Sequence, residues 1–148
     1  IGLISEIAAI FGSQSVVAAV DIKKNLFGKF EVYHHVTGKT IRISLMEYLL
    51  KLVDSGAGEL FINSVDNDGI MMGYDISLLE SIYEQIKVPL IVCGGAGNLT
   101  HMKEVISRGI ADAVAAGSMF VFYGQRNAVL INYPDKNQIN TLLAKDGQ

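Results

Sequence analysis

The chain repeats one pattern four times: a continuous apolar run, a short polar or glycine-rich segment, and then a stretch whose apolar residues have helical spacing. Continuous apolar runs are typical of strands that are buried on both faces of a parallel sheet. Strands that alternate with helices of about 10–15 residues indicate βαβ units with right-handed crossovers. The pattern therefore predicts an α/β fold with four βα units around a parallel sheet.

These repeats divide a single predicted domain, residues 1–148, into strands and helices. We expect strands near residues 15–21, 59–64, 89–93 and 112–116. We expect helices over residues 3–11, 45–56, 76–86 and 102–108, and a further helix that starts over 119–123. The segment near 29–35 alternates polar and apolar residues and predicts an exposed hairpin arm. Residues 132–148 are expected to form a polar tail with a short helical pattern.

Composition excludes several classes of protein. Half of the 148 residues are hydrophobic and 18% are charged, which excludes an intrinsically disordered chain. The net charge of −3 gives no electrostatic reason to expect nucleic acid, and the single cysteine excludes a disulfide framework. The longest runs without a charge, 7–20 and 88–102, are shorter than the roughly 18 apolar residues that a membrane span needs. We therefore expect a cytoplasmic protein without a membrane partner.

Two glycine-rich segments, Gly94-Gly95-Ala96-Gly97 and Gly117-Ser118, each follow a predicted strand and precede a predicted helix. Glycine lets the backbone approach a ligand closely, and a helix N-terminus offers unpaired N–H groups to an anion. In (β/α)8 barrels a phosphate site often lies at the loops after the last two strands. A dinucleotide site would need the pattern G-x-G-x-x-G and an acidic residue at the end of the next strand. The segment at 94–97 reads G-G-x-G instead, and the predicted strand 112–116 does not end in an acidic residue. We therefore predict a phosphate site, with two ordinary tight turns as the alternative.

Acidic residues follow the first two predicted strands. Asp21 closes an apolar run, where a half-buried carboxylate is a plausible general acid or base, and the alternative is a helix cap or an ion pair with Lys23 or Lys24. The segment Asp66-Asn67-Asp68-Gly69 starts like a calcium loop but lacks the later ligands of an EF-hand. We therefore expect no metal, and a loop that holds substrate or a backbone turn.

Seven motifs, in order along the chain, resemble the cyclase subunit of imidazole glycerol phosphate synthase, the HisF family. They are Phe11-Gly12-Ser13-Gln14, Val20-Asp21-Ile22-Lys23, Gly56-Ala57-Gly58-Glu59, Ser64-Val65-Asp66-Asn67-Asp68-Gly69, Gly73-Tyr74-Asp75, Gly94-Gly95-Ala96-Gly97 and Ala111-Asp112-Ala113. The resemblance covers nearly the whole chain. It implies the C-terminal half, strands five to eight, of a (β/α)8 or TIM barrel.

The resemblance also implies a lyase-type reaction of histidine biosynthesis that uses no cofactor. In that family a partner glutaminase, the HisH-like subunit of a glutamine amidotransferase complex, releases ammonia that travels through the barrel. The ammonia attacks a ribulosyl phosphate intermediate and yields imidazole glycerol phosphate and an aminoimidazole carboxamide ribotide. A phosphorylated small molecule is therefore an expected partner.

Residue roles follow from the same resemblance. One of two catalytic aspartates corresponds to Asp21, and the other belongs to strand one, which this sequence does not contain. The substrate- and phosphate-binding positions correspond to Asn63, Ser64, Asp66, Asp68, Gly69, Cys93, Gly94, Gly95, Gly117 and Ser118. Glu59 matches a charged residue of the ammonia gate. We expect this half to be inactive alone and to cover its open sheet edges with the missing N-terminal half or a second copy.

Three positions depart from the usual residues of the family. Asn63 replaces a threonine, Cys93 a serine and Gly117 an alanine. The changes resemble a paralogous branch that delivers ammonia for the amidation of surface or flagellar sugars. Two alternatives therefore stay open beside the cyclase: this ammonia conduit, and a phosphate-sugar-binding half-barrel without turnover. A small packing residue is the simpler interpretation of Cys93, because no base lies beside it in the sequence.

Overall fold

The computed structural model describes residues 1–124 and 128–144 as a six-stranded sheet, helices on one of its faces, and a separate two-stranded sheet. The strands are β1 (Val17–Lys24), β2 (Phe30–His34), β3 (Lys39–Thr40), β4 (Glu59–Ser64), β5 (Leu90–Cys93), β6 (Ala113–Val114), β7 (Phe122–Tyr123) and β8 (Ala128–Val129). The helices are α1 (Gly2–Phe11), α2 (Leu45–Asp54), α3 (Ile76–Ile82), α4 (Leu99–Arg108), α5 (Ser118–Val121) and α6 (Lys136–Leu143). Single 3₁₀ turns occupy Ser13–Ser15 and Tyr83–Gln85.

The large sheet has the strand order β3-β2-β1-β4-β5-β6. β1, β4, β5 and β6 run parallel to one another, whereas β2 pairs antiparallel with the outer side of β1 and β3 pairs antiparallel with β2. Parallel neighbours need crossover connections, and α2, α3 and α4 lie in those connections. The predicted α/β class with a largely parallel sheet is therefore confirmed, and the arrangement is that of a partial (β/α)8 barrel.

The strands bury alternate residues, so that the two faces of the sheet differ. Side chains on one face are buried against α2, α3 and α4, and they are Ala18, Val20, Ile22, Leu60, Ile62, Leu90 and Val92. The opposite face, called the open face below, carries Val17, Ala19, Asp21, Lys23, Glu59, Phe61, Asn63, Ile91 and Cys93. Val17 is 52% exposed. The apolar runs predicted burial on both faces, but within the described structure only the helical face is covered.

Local signals explain where the helices begin and end. The Ser44 hydroxyl caps α2 by accepting a hydrogen bond from the Glu47 amide at 3.2 Å. The Asn98 side chain caps α4 in the same way, through the His101 amide at 3.1 Å, so this helix begins at Leu99 rather than at the predicted residue 102. α4 ends where Gly109 takes a left-handed conformation with φ of 64°.

The C-terminal region differs most from the sequence-based expectation. The helix expected over 119–123 ends at Val121, and residues 122–123 instead pair with 128–129 as a small antiparallel sheet. The residues that join these two strands, 125–127, lie outside the described part of the chain. The tail holds α6, whose first turn is closed by reciprocal hydrogen bonds between Asp135 and Gln138. The last residues of the predicted tail, 145–148, also lie outside the described residues.

None of the helices in the described part of the chain is long and apolar enough to cross a membrane.

Candidate active site at the carboxyl ends of the parallel strands

Three polar side chains stand side by side on the open face, at the carboxyl ends of adjacent strands. Asp21 of β1 is in register with Asn63 of β4, and Asn63 is in register with Cys93 of β5. All three are half-buried. The Asn63 Nδ2 group donates a hydrogen bond to Asp21 Oδ1 at 2.9 Å, which fixes the orientation of the carboxylate. Ligands of parallel α/β folds bind at this edge, so the row is a candidate active site.

The second oxygen of Asp21, Oδ2, is open to a ligand. It has no hydrogen-bond donor, and no Lys or Arg nitrogen lies within 4 Å of the carboxylate, among residues 1–124 and 128–144. The ammonium group of Lys24, one alternative partner, lies 3.0 Å from Asp75 Oδ2 instead. The side-chain oxygen of Asn63, Oδ1, is buried and has no hydrogen-bond partner among the described residues.

Asp75 and Asp66 tie the end of β1 to the loop between β4 and α3. The Lys24 amide donates to Asp66 Oδ2 at 2.7 Å, and Asp75 caps α3 through the Leu78 amide at 3.1 Å. Burial opposes ionisation of Asp75, but hydrogen bonds from Ser77, Lys24 and Leu78, with the charge of Lys24, hold the pKa of this carboxyl below its usual value. The Asp66 carboxylate, for its part, holds the backbone of Lys24 at the end of β1 through its hydrogen bond to the Lys24 amide.

The lowered pKa of Asp75 makes stability depend on pH in a defined window. A carboxyl whose pKa is lower in the folded state than in the unfolded state stabilises the fold at pH values above the unfolded-state pKa, which is about 3.9. This contribution to stability is lost as the pH falls through the folded-state pKa. We expect Asp75→Asn, which keeps the cap but removes the charge, to lower the free energy of unfolding by about 1 kcal/mol at neutral pH. The difference from the parent should shrink below about pH 4 in urea titrations.

The matched control for this experiment is Asp54→Asn, which neutralises an exposed carboxylate at the end of α2. A difference between Asp75→Asn and the parent that persists unchanged at acidic pH would contradict the assignment.

The Cys93 thiol is held in its neutral form. Burial raises its pKa, the carboxylates of Asp68 and Asp21 raise it further, and a hydrogen bond from the Gly94 amide opposes them. A nucleophilic cysteine needs the opposite shift, because the thiolate is the reactive species. In this row Cys93 is therefore a small neutral side chain beside Asn63.

The glycine-rich loop packs directly against the loop that follows β4. The Gly73 amide donates to the Gly95 carbonyl at 2.8 Å, and a Cβ at Gly95 would overlap the Gly73 carbonyl oxygen. A Cβ at Gly97 would overlap the Met71 carbonyl oxygen, and one at Gly94 would lie 2.5 Å from the carbonyl oxygen of Ser64. The neighbouring backbone alone therefore requires these glycines, whether or not a phosphate binds.

The other predicted phosphate residues have different surroundings. Gly117 is exposed, and a Cβ there would meet no atom of residues 1–124 or 128–144 within 4 Å, so the described structure leaves space for a ligand beside it. Ser118 follows as the first residue of α5. Asp68 and Gly69 are exposed at the tip of their loop, and Gly69 has a positive φ of 78°. Ser64 is buried, and its carbonyl accepts hydrogen bonds from the amides of the turn that follows.

Two residues that support this site were missed from the sequence. The buried Tyr74 hydroxyl donates to the Ala115 carbonyl at 2.8 Å and joins the β4–α3 loop to the end of β6. Burial raises the pKa of Tyr74, so it stays a neutral donor. His101 Nδ1 accepts from the Gly97 amide at 3.1 Å and holds the glycine loop. Only the position of His101, four residues after Gly97 at a helix start, could have suggested its contact.

Glu59 lies at the amino end of β4, four residues before Asn63 on the same face. At about 3.3 Å per strand residue, the two positions are about 13 Å apart. The open face between them is apolar, and its side chains there are Ala19, Phe61 and Ile91. Glu59 is therefore at the opposite end of the strands from Asp21.

Within the described ranges, no group of three or more His, Cys, Asp or Glu side chains is arranged to hold a metal ion.

Comparison with known proteins gives a consistent set of matches. A family model described as "Histidine biosynthesis protein" matches residues 1–126. The chain is 42% identical over 140 residues to a Pseudomonas aeruginosa protein named provisionally as imidazole glycerol phosphate synthase subunit hisF2, covering 95% of this chain and 56% of that protein. It is 43% identical over 134 residues to a provisionally named HisF subunit of Leptospira borgpetersenii, with 90% and 53% covered.

A third relative is the imidazole glycerol phosphate synthase subunit HisF of Chloroherpeton thalassium, at 48% identity over 121 residues. That match covers 81% of this chain and 47% of the relative. The chain thus spans about half the length of the curated relatives that it matches.

Proposed function

Because the chain belongs to the histidine biosynthesis protein family, a family of TIM barrels, we propose that it forms the C-terminal half of a HisF-like cyclase. In this proposal the complete barrel joins ammonia to a ribulosyl phosphate intermediate of histidine biosynthesis. The observation that carries the proposal is the position of Asp21 near the carboxyl ends of the parallel strands, where Asn63 orients it and no described residue donates a hydrogen bond to Oδ2.

Asp21 would move protons during the addition of ammonia. When ammonia adds to the ribulosyl carbonyl carbon, a C–N bond forms, and the carbonyl oxygen must leave as water. The nitrogen therefore has to lose protons while the oxygen gains them. A carboxylate within reach of both atoms can accept a proton from the one and return it to the other. The second aspartate of the family would share this work from a strand outside this sequence.

We place the phosphate of the substrate beside Gly117 and Ser118, because the space there is open. Gly94 and Gly95 form the adjoining wall in this arrangement. Asp68 would repel a phosphate, so we assign its exposed carboxylate to a substrate hydroxyl.

The apolar stretch of the open face supports an ammonia path. Ammonia is neutral, and an apolar lining favours it over ammonium, which would have to be desolvated. We propose that a HisH-like glutaminase docks at the Glu59 end and that ammonia moves over Phe61 and Ile91 toward Asp21. The face would be closed by the N-terminal half of the barrel or by a second copy of this chain.

The sugar-amidation conduit is the second candidate, and the departures Asn63 and Cys93 favour it. These two side chains lie in one row with Asp21, so both changes fall where the substrate would bind. A phosphate-binding half-barrel without turnover is the third candidate.

Ammonia-dependent turnover tests the proposal. We expect the full-length barrel to form imidazole glycerol phosphate from the ribulosyl intermediate and an ammonium salt, and to accept glutamine when a glutaminase is added. The separate 148-residue chain should form no product, because it carries one of the two aspartates. Liquid chromatography with mass detection measures the product. Turnover by the separate chain would contradict the two-aspartate assignment, and an inactive full-length barrel that binds the intermediate would favour the conduit.

A further inference from the structure

A basic cleft lies on the hairpin beside Asp21, on the side away from the glycine-rich loops. β2 pairs with β1 so that Tyr33 is opposite Asp21 and Glu31 is opposite Lys23, and Thr40 of β3 is opposite Tyr33. Alternation places these side chains on the open face. A cavity of 590 Å³, called the hairpin cleft here, is lined by Lys23, Glu31, Tyr33, Thr40, Lys39 and Arg42. Lys39 is opposite His34, so the same alternation places its side chain on the other face, and it lines the cleft at the edge of the sheet.

The cations of the hairpin cleft are not neutralised. No carboxylate of residues 1–124 or 128–144 lies within 4 Å of a charged nitrogen of Lys23, Lys39 or Arg42. Lys23 Nζ lies 5.5 Å from the centre of the Tyr33 ring, and Lys24 at the cleft wall is already paired with Asp75. Lys23 and Arg42, which have no carboxylate partner among the described residues, contrast with the net charge of −3 of the whole chain.

Glu31 is the one acidic residue in the lining, and it is already satisfied. Its Oε1 accepts from Asn25 Nδ2 at 2.8 Å, and Thr40 also donates a hydrogen bond to the carboxylate. These bonds hold Glu31 against the hairpin turn, and the cleft keeps a net positive lining.

We propose that the hairpin cleft binds the phosphate group of a small molecule. An arginine guanidinium can hold two phosphate oxygens at once, and lysine ammonium groups add compact positive charge. The hydroxyl of Tyr33 can add a neutral hydrogen bond. The cleft is too small, and the cations too few, for a nucleic-acid backbone.

The position of the cleft fixes what else such a ligand would touch. Lys23 is two residues after Asp21 on the same face, about 7 Å along the strand. Tyr33 is the direct cross-strand neighbour of Asp21, about 5 Å away between Cα atoms. A phosphorylated compound the size of a sugar therefore reaches the Asp21 carboxylate, whereas inorganic phosphate fills only the cleft. The inference depends on the cleft alone and not on the cyclase reaction.

Amide NMR titration of the full chain with inorganic phosphate and with ribose 5-phosphate tests this proposal. We expect saturable shifts at residues 23, 33, 39, 40 and 42 with both probes. We expect roughly tenfold weaker binding in Lys23→Gln/Arg42→Gln, because two charge-assisted contacts are lost. The control, Lys87→Gln/Lys136→Gln, removes the same charge at exposed positions outside the cleft and should change affinity less than about twofold.

The two probes distinguish a phosphorylated substrate from a free anion as the ligand of the cleft. Shifts that extend to Asp21 and Asn63 with ribose 5-phosphate alone identify a phosphorylated substrate, and shifts confined to the cleft with both probes identify a free-anion site. Equal weakening in the control variant, shifts confined to residues 94–97 and 117–118, or no saturation would overturn the proposal. If the double variant does not fold, Arg42→Gln alone at its exposed position takes its place, with an expected loss of about threefold.

Discussion

Asp21→Asn is expected to reduce cyclase turnover of the full-length barrel by roughly 10²–10⁴-fold at saturating ammonia. Asparagine has the same shape as aspartate and can still accept the hydrogen bond from Asn63, but it cannot take up and release a proton. The loss should appear in kcat, with a small change in KM, because the phosphate contacts lie elsewhere. Steady-state rates of product formation measure it.

Asp54→Asn is the control, since it removes one carboxylate charge at an exposed position on α2. It should keep parental turnover, and both variants should unfold at the temperature of the parent. Full turnover by a folded Asp21→Asn protein would contradict the acid–base role. That result would leave the ammonia conduit as the better account.

The second large effect concerns two glycines that the sequence pattern treats alike. Gly95→Ala is expected to destabilise the fold by about 3 kcal/mol or more, because Gly95 has φ of 109° and its Cβ would overlap the Gly73 carbonyl. Gly117→Ala should leave stability within about 0.5 kcal/mol, because its φ is −113° and the added methyl group meets no atom. Urea unfolding of the two variants and the parent measures the difference.

A bulky substitution at Gly117 should affect ligand binding, whereas the change at Gly95 should affect stability. If phosphate lies beside Gly117, the bulky side chain of Gly117→Leu should weaken the binding of the phosphorylated intermediate by about tenfold. Gly117→Ala restores the residue that is usual in the family and should bind the intermediate as the parent does. A Gly95→Ala protein as stable as the parent would contradict the packing between the two loops. Unchanged ligand affinity in Gly117→Leu would instead contradict the placement of the phosphate.

Most of the architecture could be predicted because it depends on local signals. Continuous apolar runs identified the parallel strands, and Ser44 marked the start of α2 because capping involves residues three apart. The strands β7 and β8 could not be predicted in the same way. Their pairing depends on residues several positions apart, and the short apolar segment 119–123 is compatible with either structure.

The placement of Asp21 near the carboxyl ends of the parallel strands could be predicted, whereas the contacts around it could not. Asp21 follows the apolar run 16–20, so its place near the carboxyl ends of the parallel strands could be predicted from one segment, although β1 continues to Lys24. Its contact with Asn63 depends on the register of two strands that are 42 residues apart. The cations of the hairpin cleft, spread over residues 23–42, come together only through antiparallel pairing. Gly95 and Gly117 differ only in their surroundings, which residue type does not specify.

The close packing between residues 71–73 and 95–97 has a consequence for protein engineering. Each segment occupies space that the other leaves free, with Gly73 and Gly95 joined by a hydrogen bond. A chimera that transplants the β4–α3 loop of a relative without its matching glycine segment would bring mismatched backbones together. Exchange of substrate preference between relatives therefore calls for grafting both segments as one cassette.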